Sequence, residues 1–339
     1  MTIPGLPAIP PDAHKYSRGS LLVLGGSTRF PGAAILAAQA GSLTGAGYVT
    51  LAVPASVVAI AQAHLLSIPV VGASETGGAF AADALADILE QVRHIDAVVF
   101  GCGLTVTSFT TAFTRSVQAW ANQTGTPLLL DADALHADAL YADALCADAL
   151  CAEVLPAANQ QATGYNLSTL HADVPPANSR PLTSQPLTSQ LSTNQPLTCR
   201  PPSSQQPTSP LSPPRPVLTP HAGEIARLFS ATATDSAEAL ARHLNAIVVA
   251  KGPVTTITDG ARVVCCDEGT PALAKAGTGD VLSGIIGALL AQGMDPFEAA
   301  WAGVVLHARA GCLAEKAFGT RSVMAEHLLE AIPVILRDE

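Results

Sequence analysis

The feature that most restricts what this chain can become is an alternation. Short apolar runs, most of them closing on a turn that carries glycine, aspartate or proline, are separated by alanine-rich stretches long enough for helices. Runs this short and this continuously apolar suit strands covered on both faces. Ser20–Leu24, Tyr48–Val53, Ile68–Val71, Ala97–Phe100 and Pro127–Leu130 are therefore read as strands, with helices at Ala33–Leu43, Ala55–Leu65, Ala81–Val92 and Ser108–Asn122 between them. That succession implies right-handed crossovers and a mostly parallel sheet, an α/β fold whose ligands gather beyond the carboxyl ends of the strands.

The alternation is broken once. Residues 131–155 run as pentapeptides, from Asp131-Ala132-Asp133-Ala134-Leu135 to Cys151-Ala152-Glu153-Val154-Leu155, and a period of five stacks neither on a helix face nor on a strand face. A second repeat, Pro181-Leu182-Thr183-Ser184-Gln185, follows within a stretch from Pro156 to Arg215 dominated by Pro, Ser, Thr, Gln and Asn. Such a composition offers too little apolar surface to offset the entropy of ordering. The expected organisation is one domain made of residues 1–135 and 216–339, with 136–215 a low-complexity insertion, partly helical and then disordered. If Asp131 ends one strand on the ligand side and Val217 begins the next, the insertion returns on the opposite side of the sheet.

Beyond it the ordered pattern resumes. Val217-Leu218 runs as a strand into Thr219-Pro220-His221-Ala222-Gly223, with a helix from Glu224 and another at Ala237–Leu244. Ala246–Ala250 is a strand ending in Lys251-Gly252, and Thr255–Thr258 and Arg262–Cys265 flank Asp259-Gly260 as a hairpin. Phe297–Lys316 and Val323–Leu336 read as covering helices.

The chemistry concentrates between Thr270 and Leu290, where Lys275-Ala276-Gly277-Thr278-Gly279-Asp280 feeds an apolar run long enough for a buried helix. Free amides at such a helix start, with partial positive charge and close backbone approach, seat a phosphate group. Asp280 at the lip could accept a hydroxyl proton during phosphoryl transfer, or could simply cap the helix.

Charge and cysteine usage narrow the partners. A net charge of −10, with four lysines and thirteen arginines, argues against a nucleic-acid surface. Two of the lysines, Lys251 and Lys275, lie beside glycine-bearing motifs. The seven cysteines form no Cys-x-x-Cys pair, so neither a zinc site nor a disulfide framework is expected. No signal peptide or membrane span is expected, and a cytoplasmic location fits.

Taken together, Gly25-Gly26-Ser27 with Gly32-Ala33-Ala34, Gly101-Cys102-Gly103-Leu104, Asp131-Ala132-Asp133-Ala134-Leu135, Thr219-Pro220-His221-Ala222-Gly223-Glu224, Lys251-Gly252-Pro253-Val254-Thr255 and Gly277-Thr278-Gly279-Asp280 resemble, in order and spacing, the ADP/ATP-dependent NAD(P)H-hydrate dehydratases of the ribokinase-like superfamily. The resemblance implies a three-layer α/β/α sandwich and a repair activity. The substrate would be the S epimer of hydrated NADH or NADPH (NADHX, NADPHX), restored by phosphorylating its ring hydroxyl and expelling phosphate. It implies ADP or ATP as co-substrate and Mg²⁺ as cofactor.

Residue by residue, Asp280 is the implied general base. Ala33, Gly103, His221 and Asp280 would contact the hydrated dinucleotide. Lys251, Gly252, Pro253, Val254, Thr255, Gly277, Thr278 and Gly279 would hold the nucleotide, and Asp131 and Glu224 would organise the metal through water. The resemblance also implies a homo-oligomer, commonly a tetramer. The epimerase domain fused to many relatives has no counterpart in this sequence, so a separate epimerase is expected upstream. Departures are Cys102 where proline is usual, Ala276 where glycine is usual, a shorter Cys266–Thr270 connection, and Ala325-Glu326 near the last helix. A hydroxyethylthiazole or pyrimidine kinase of the same fold, or an inactive nucleotide-binding scaffold, is the competing reading.

Overall fold

In a computed structural model of the chain, residues 2–136, 138, 140 and 214–337 are described. The expected insertion falls almost entirely outside the described residues. Strands β1 (Ser20–Leu24), β2 (Tyr48–Pro54), β3 (Val70–Ala73), β6 (Ala97–Phe100), β7 (Leu128–Leu130), β8 (Val217–Leu218) and β9 (Ile247–Ala250) pair in parallel, and β10 (Thr255–Thr258) and β11 (Val263–Cys266) add an antiparallel edge. Their order across the nine-stranded sheet is β11-β10-β9-β8-β7-β6-β1-β2-β3. A separate hairpin, β4 (Glu75–Thr76) with β5 (Ala79–Phe80), turns on Gly77 and Gly78.

Side chains on the strands alternate between two apolar clusters, one on each face of the sheet. Leu21, Val23, Ala97, Val99, Leu129, Val217, Ile247 and Val249 enter one cluster; Leu22, Leu24, Val98, Phe100, Leu130, Leu218 and Val248 enter the other. Helices α1 (Pro31–Leu43) and α2 (Val58–His64) cover the first face together with the carboxyl-terminal helices. Helices α3 (Ala84–Gln91), α4 (Ser108–Thr124), α5 (Ala222–Thr232) and α6 (Ala237–His243) cover the second. The result is the expected α/β/α sandwich with a mostly parallel sheet.

Helix α7 (Thr278–Ala291) lies under α1, α8 (Pro296–Phe318) and α9 (Ala325–Leu336), against β1, β6 and β7. From Val281 to Ala291 every residue of it is buried, as a helix apolar all round but for Ser283 must be. The long apolar run that marks this helix in the sequence is thus the centre of one layer.

Small departures from the sequence expectations have local causes. Strand β3 starts at Val70 rather than Ile68 because Pro69 has no N–H to donate, although its carbonyl accepts Leu51 N–H at 2.9 Å. Strand β11 starts after Arg262, whose N–H is held by Asp259 Oδ1 at 2.7 Å inside the hairpin turn. The β4–β5 hairpin was not expected, yet its Gly-Gly turn with φ of 63° and 78° is a turn signal.

Candidate active site

The parallel strands bring the turns after β1, β6, β7, β8 and β9 to one edge of the sheet, and α7 begins at that edge. Gly277 makes the turn into it with φ of 91°. A Cβ there would lie 2.9 Å from Ala325 Cβ and 3.0 Å from Leu36 Cδ1, so both the dihedral and the space call for glycine. Thr278 Oγ1 donates to the carbonyls of Leu273 and Lys275, each at 2.8 Å. From the other side His307, on α8, donates from Nε2 to the Thr278 carbonyl at 2.8 Å. Burial holds this imidazole down at about 4, so it stands there neutral. The turn is therefore tied by side chains on both flanks. Within it, Thr278 N–H bonds the Lys275 carbonyl at 3.4 Å and Val281 N–H the Gly277 carbonyl at 3.2 Å. The amides of Gly279 and Asp280 are left as the orphan donors of the helix start.

Beneath Gly279 lies a charge pair, Asp131 buried and Lys251 half-buried. Lys251 Nζ, at the end of β9, donates to Asp131 Oδ1 at 2.9 Å, and Ser283 Oγ donates to Asp131 Oδ2 at 2.7 Å. Burial alone would raise the Asp131 carboxyl, but the charge and hydrogen bond of Lys251, with further bonds from Ser283 and Thr219, outweigh it and hold the pKa below its ordinary value. Lys251 is correspondingly raised against the burial that would lower it, chiefly by Asp131. Its ammonium lies 3.4 Å from where a Gly279 Cβ would stand. A fixed positive charge therefore sits next to the orphan amides.

Asp280, in the first turn of α7, has the opposite environment. Burial and the nearby Asp131 charge push its carboxyl up from 3.8 to about 7, against the lowering effect of a Cys102 hydrogen bond and of Lys251. The Cys102 Sγ and one carboxylate oxygen each from Asp131 and Asp280 lie within 4.8 Å of one another. Burial and these two carboxylates push the Cys102 thiol well above its usual value, so it is a protonated donor. Two carboxyls side by side, one fixed as an anion and one poised near neutrality, give the site a proton acceptor.

Two lobes flank this centre. On one, Gly103 has φ of 70°, and a Cβ there would come 2.5 Å from Phe30 O and 3.0 Å from Ala33 Cβ; Ala33 and Gly103 thus adjoin. On the other, His221 and Lys251 pair through their backbones, with Lys251 N–H to the Pro220 carbonyl at 2.9 Å. His221 Nδ1 accepts from Gly223 N–H at 3.0 Å and Glu224 N–H at 3.3 Å, while Glu224 accepts the His221 N–H at 2.7 Å. This is a capping box built from histidine, and burial raises the Glu224 carboxyl. Gly252, Pro253 and Val254 form an exposed loop, tied by Thr255 Oγ1 to the Gly252 carbonyl at 3.3 Å.

Of the residues picked from sequence, Asp131, Lys251, Gly279 and Asp280 converge, and Gly277 and Thr278 shape the turn beside them. Ala33 with Gly103 and His221 with Glu224 stand at the flanks. Lys275 is different: its Nζ donates to the Arg321 carbonyl at 2.6 Å. Sequence reasoning missed Ser283 and His307 and gave Cys102 no role. Ser283 follows Gly279 by four residues, a spacing that puts both on one helix face. Nothing near His307 in sequence points to Thr278.

Known proteins resemble this chain over nearly its whole length. The family model described as NAD(P)H-hydrate dehydratase matches residues 21–155 and 203–334. A bifunctional NAD(P)H-hydrate repair enzyme of Moorella thermoacetica is 32% identical over 343 residues, covering 98% of this chain and 52% of that protein. An ADP-dependent (S)-NAD(P)H-hydrate dehydratase of Xanthomonas campestris is 29% identical over 343 residues, covering 98% of this chain and 92% of its own. The chain spans about half the length of the bifunctional relatives it matches first. Among solved structures, an ADP/ATP-dependent NAD(P)H-hydrate dehydratase of Bacillus subtilis, co-crystallized with ATP and Mg²⁺, superposes with a TM-score of 0.67 at 22% identity, over 98% of this chain and 94% of that one. A ribokinase-like protein of Enterococcus faecalis gives the same TM-score of 0.67. With the family model matching residues on both sides of the long low-complexity segment, and with its sheet order and structural likenesses, the chain belongs to the NAD(P)H-hydrate dehydratase family and has the ribokinase-like fold.

Proposed function

We propose that this chain restores NADH and NADPH from their S hydrates at the expense of a nucleotide phosphate. The observation that carries the reading is Asp280: a carboxyl held near neutrality, at about 7, on the helix turn whose amides and neighbouring lysine suit a phosphoryl group. Deprotonated, it takes the proton from the ring hydroxyl as that oxygen attacks the terminal phosphorus of ADP or ATP and the bridging P–O bond breaks, releasing AMP or ADP. The orphan amides of Gly279 and Asp280, with Lys251 behind them, receive the charge on the transferred group. The phosphorylated hydroxyl is a far better leaving group than hydroxide. The ring nitrogen's lone pair expels phosphate, a proton leaves the adjacent carbon, and the double bond returns. Ala33 and Gly103 line the dinucleotide side, with His221 across from them, and residues 251–255 and 277–279 line the nucleotide side.

The donor set fits Mg²⁺ held through water. Both oxygens of Asp131 already accept from Lys251 and Ser283, and Glu224 accepts from His221. Asp131 and Glu224 would hold hydrated Mg²⁺ through its water shell, the nucleotide phosphates supplying its direct oxygen ligands. When bound, it neutralises phosphate charge. The protonated Cys102 thiol is no ligand for so hard an ion. The proposal also includes one domain of residues 1–135 and 216–339 with 136–215 inserted, a homotetramer, a cytoplasmic location and a separate upstream epimerase. Among the described residues no helix is long and apolar enough to cross a membrane.

Incubating the protein with hydrated NADH, Mg²⁺ and ADP or ATP tests the reading. Recovery of dihydronicotinamide absorbance is expected; nucleotide consumption on a thiazole or pyrimidine alcohol, with no such recovery, would mark a kinase instead.

A further inference from the structure

Two residues beyond Asp131, the carboxylate of Asp133 serves a different partner. The chain after β7 bends into a 3₁₀ turn over Ala132–Leu135, with Ala132 at φ of 49° and with Ala134 and Leu135 buried. That bend lies against the turn after β6 because Gly101 has no side chain: a Cβ there would stand 2.0 Å from the Asp131 carbonyl oxygen. Asp133 is left facing the chain beyond Gly103, and its Oδ2 accepts the Thr105 N–H at 2.9 Å. Thr105 needs holding. Its φ is 68°, and a β-branched residue in that region is a strained outlier that persists only where its surroundings over-determine it. Three segments do so here. Besides the bond to Asp133, its Oγ1 pairs with the buried Ser27 Oγ at 2.9 Å, in the turn after β1, and its carbonyl accepts from Thr110 Oγ1, on α4, at 2.7 Å. Of the three, the bond to Asp133 is the charge-assisted one.

From this we infer that Asp133 is a positioning residue: by holding the Thr105 amide it keeps the 103–105 turn in its left-handed form, so that the surface offered to the hydrated dinucleotide is set before the dinucleotide arrives. The inference rests on the proposed reading of Ala33 and Gly103 as dinucleotide contacts. Without the carboxylate the strained turn relaxes into other conformers, and a site whose competent form is only partly populated binds more weakly by that fraction. The chemistry of the bound complex is untouched, since Lys251 and the start of α7 are held by contacts of their own. The second aspartate of the Asp-Ala-Asp-Ala-Leu motif thus shapes the dinucleotide side, while the first holds the charge beside the phosphoryl side.

The test uses the full chain and its Asp133→Ala and Asp133→Asn variants, with hydrated NADH, Mg²⁺ and ADP or ATP, well above pH 7 so that Asp280 is deprotonated in each. Asparagine keeps an oxygen acceptor for the Thr105 N–H and gives up only the charge. Asp133→Ala is expected to raise the KM for the hydrate about tenfold while kcat and the nucleotide KM stay within about twofold, and Asp133→Asn to recover most of the loss. An unchanged hydrate KM in Asp133→Ala, or an Asp133→Asn variant as impaired as Asp133→Ala, overturns the inference. So does an equal rise in both KM values, which would mark a general loosening of the site. A second readout needs no turnover. Hydrogen exchange over residues 103–107 is expected to speed up in Asp133→Ala and to return toward the wild-type rate in Asp133→Asn. Equal rates in an active wild type and in Asp133→Ala remove the positioning role alone. A wild-type protein that repairs no hydrate brings down the functional reading, and the positioning role with it.

Discussion

At the scale of single residues, Asp280 and Asp131 are two neighbouring carboxyls with opposite fates. Lys251 and Ser283 hold one as an anion, and burial beside that anion lifts the other to about 7. In the proposed role of general base Asp280 must be deprotonated, so kcat/KM should rise with pH through about 7 and level off above it, and Asp280→Asn should lose on the order of a hundredfold or more in kcat. A pH–rate profile of both proteins checks this. The same shift has a stability consequence of the opposite sense. A carboxyl whose folded pKa lies above its unfolded 3.8 penalises folding increasingly as pH rises from there to about 7. Asp280→Asn should therefore stabilise the ligand-free protein above pH 7 by about a few kcal/mol and leave it unchanged near the unfolded pKa, as measured by denaturant melts. Lys251→Met should act the other way. It strands the buried Asp131 charge, at a cost of about 3–5 kcal/mol, and adding Asp131→Asn should return part of it. Much of this was legible beforehand: glycines before an apolar run announce a helix start, and scarce lysines draw the eye to Lys251. The sulfur of Cys102 and the ring of His307 were not, because nothing in a sequence says which distant side chain will meet a given carbonyl or carboxyl.

At the scale of elements, the site is a product of close helix packing. Helix α7 carries the amides, and its register against α1 is set where Gly284 meets the Ala37 carbonyl, 2.2 Å from where a Gly284 Cβ would stand. Gly284→Ala must push the two helices apart and should cost about 1–3 kcal/mol, visible as a lower Tm, with weakened nucleotide binding because the helix start moves too. Apart from the β4–β5 hairpin, element types were readable from periodicity, since strands buried on both faces and amphipathic or buried helices leave different signatures. Ends were less so. The helix expected at Ala55–Leu65 opens as a 3₁₀ turn over Ala55–Val57 before α2, and the one expected at Ala81–Val92 begins only at Ala84. In both, an early amide is drawn elsewhere: Ser56 N–H to Glu75 Oε2 at 2.8 Å and Ala81 N–H to the Ser74 carbonyl at 3.0 Å.

At the scale of the whole molecule, the parallel pairing of Leu129 with Val217 and Leu130 with Leu218 bears on the long segment between them. Whatever its conformation, that segment leaves the sheet at Asp131, on the edge where the site lies, and must re-enter at the far end of β8. A parallel crossover needs about a dozen residues. Replacing residues 141–213 by a flexible linker of about that length should leave Tm and turnover within about twofold of the full chain. Loss of folding would mean that the repeats do more than connect. The alternation of strands and helices made the sheet legible from sequence, and the pentapeptide repeat begins directly after β7. The order of strands across the sheet came only with the structure, because crossover lengths alone do not say which side of β1 the next strand takes.

The central claim is chemical: the ring oxygen leaves as part of a phosphate. Hydrated NADH labelled with ¹⁸O in its hydroxyl, turned over with ADP or ATP, tests this by the isotope shift of the released inorganic phosphate in ³¹P NMR. The label is expected in phosphate. Label recovered in water, with unlabelled phosphate, would mean that the hydroxyl departs without ever being phosphorylated, and would contradict the account.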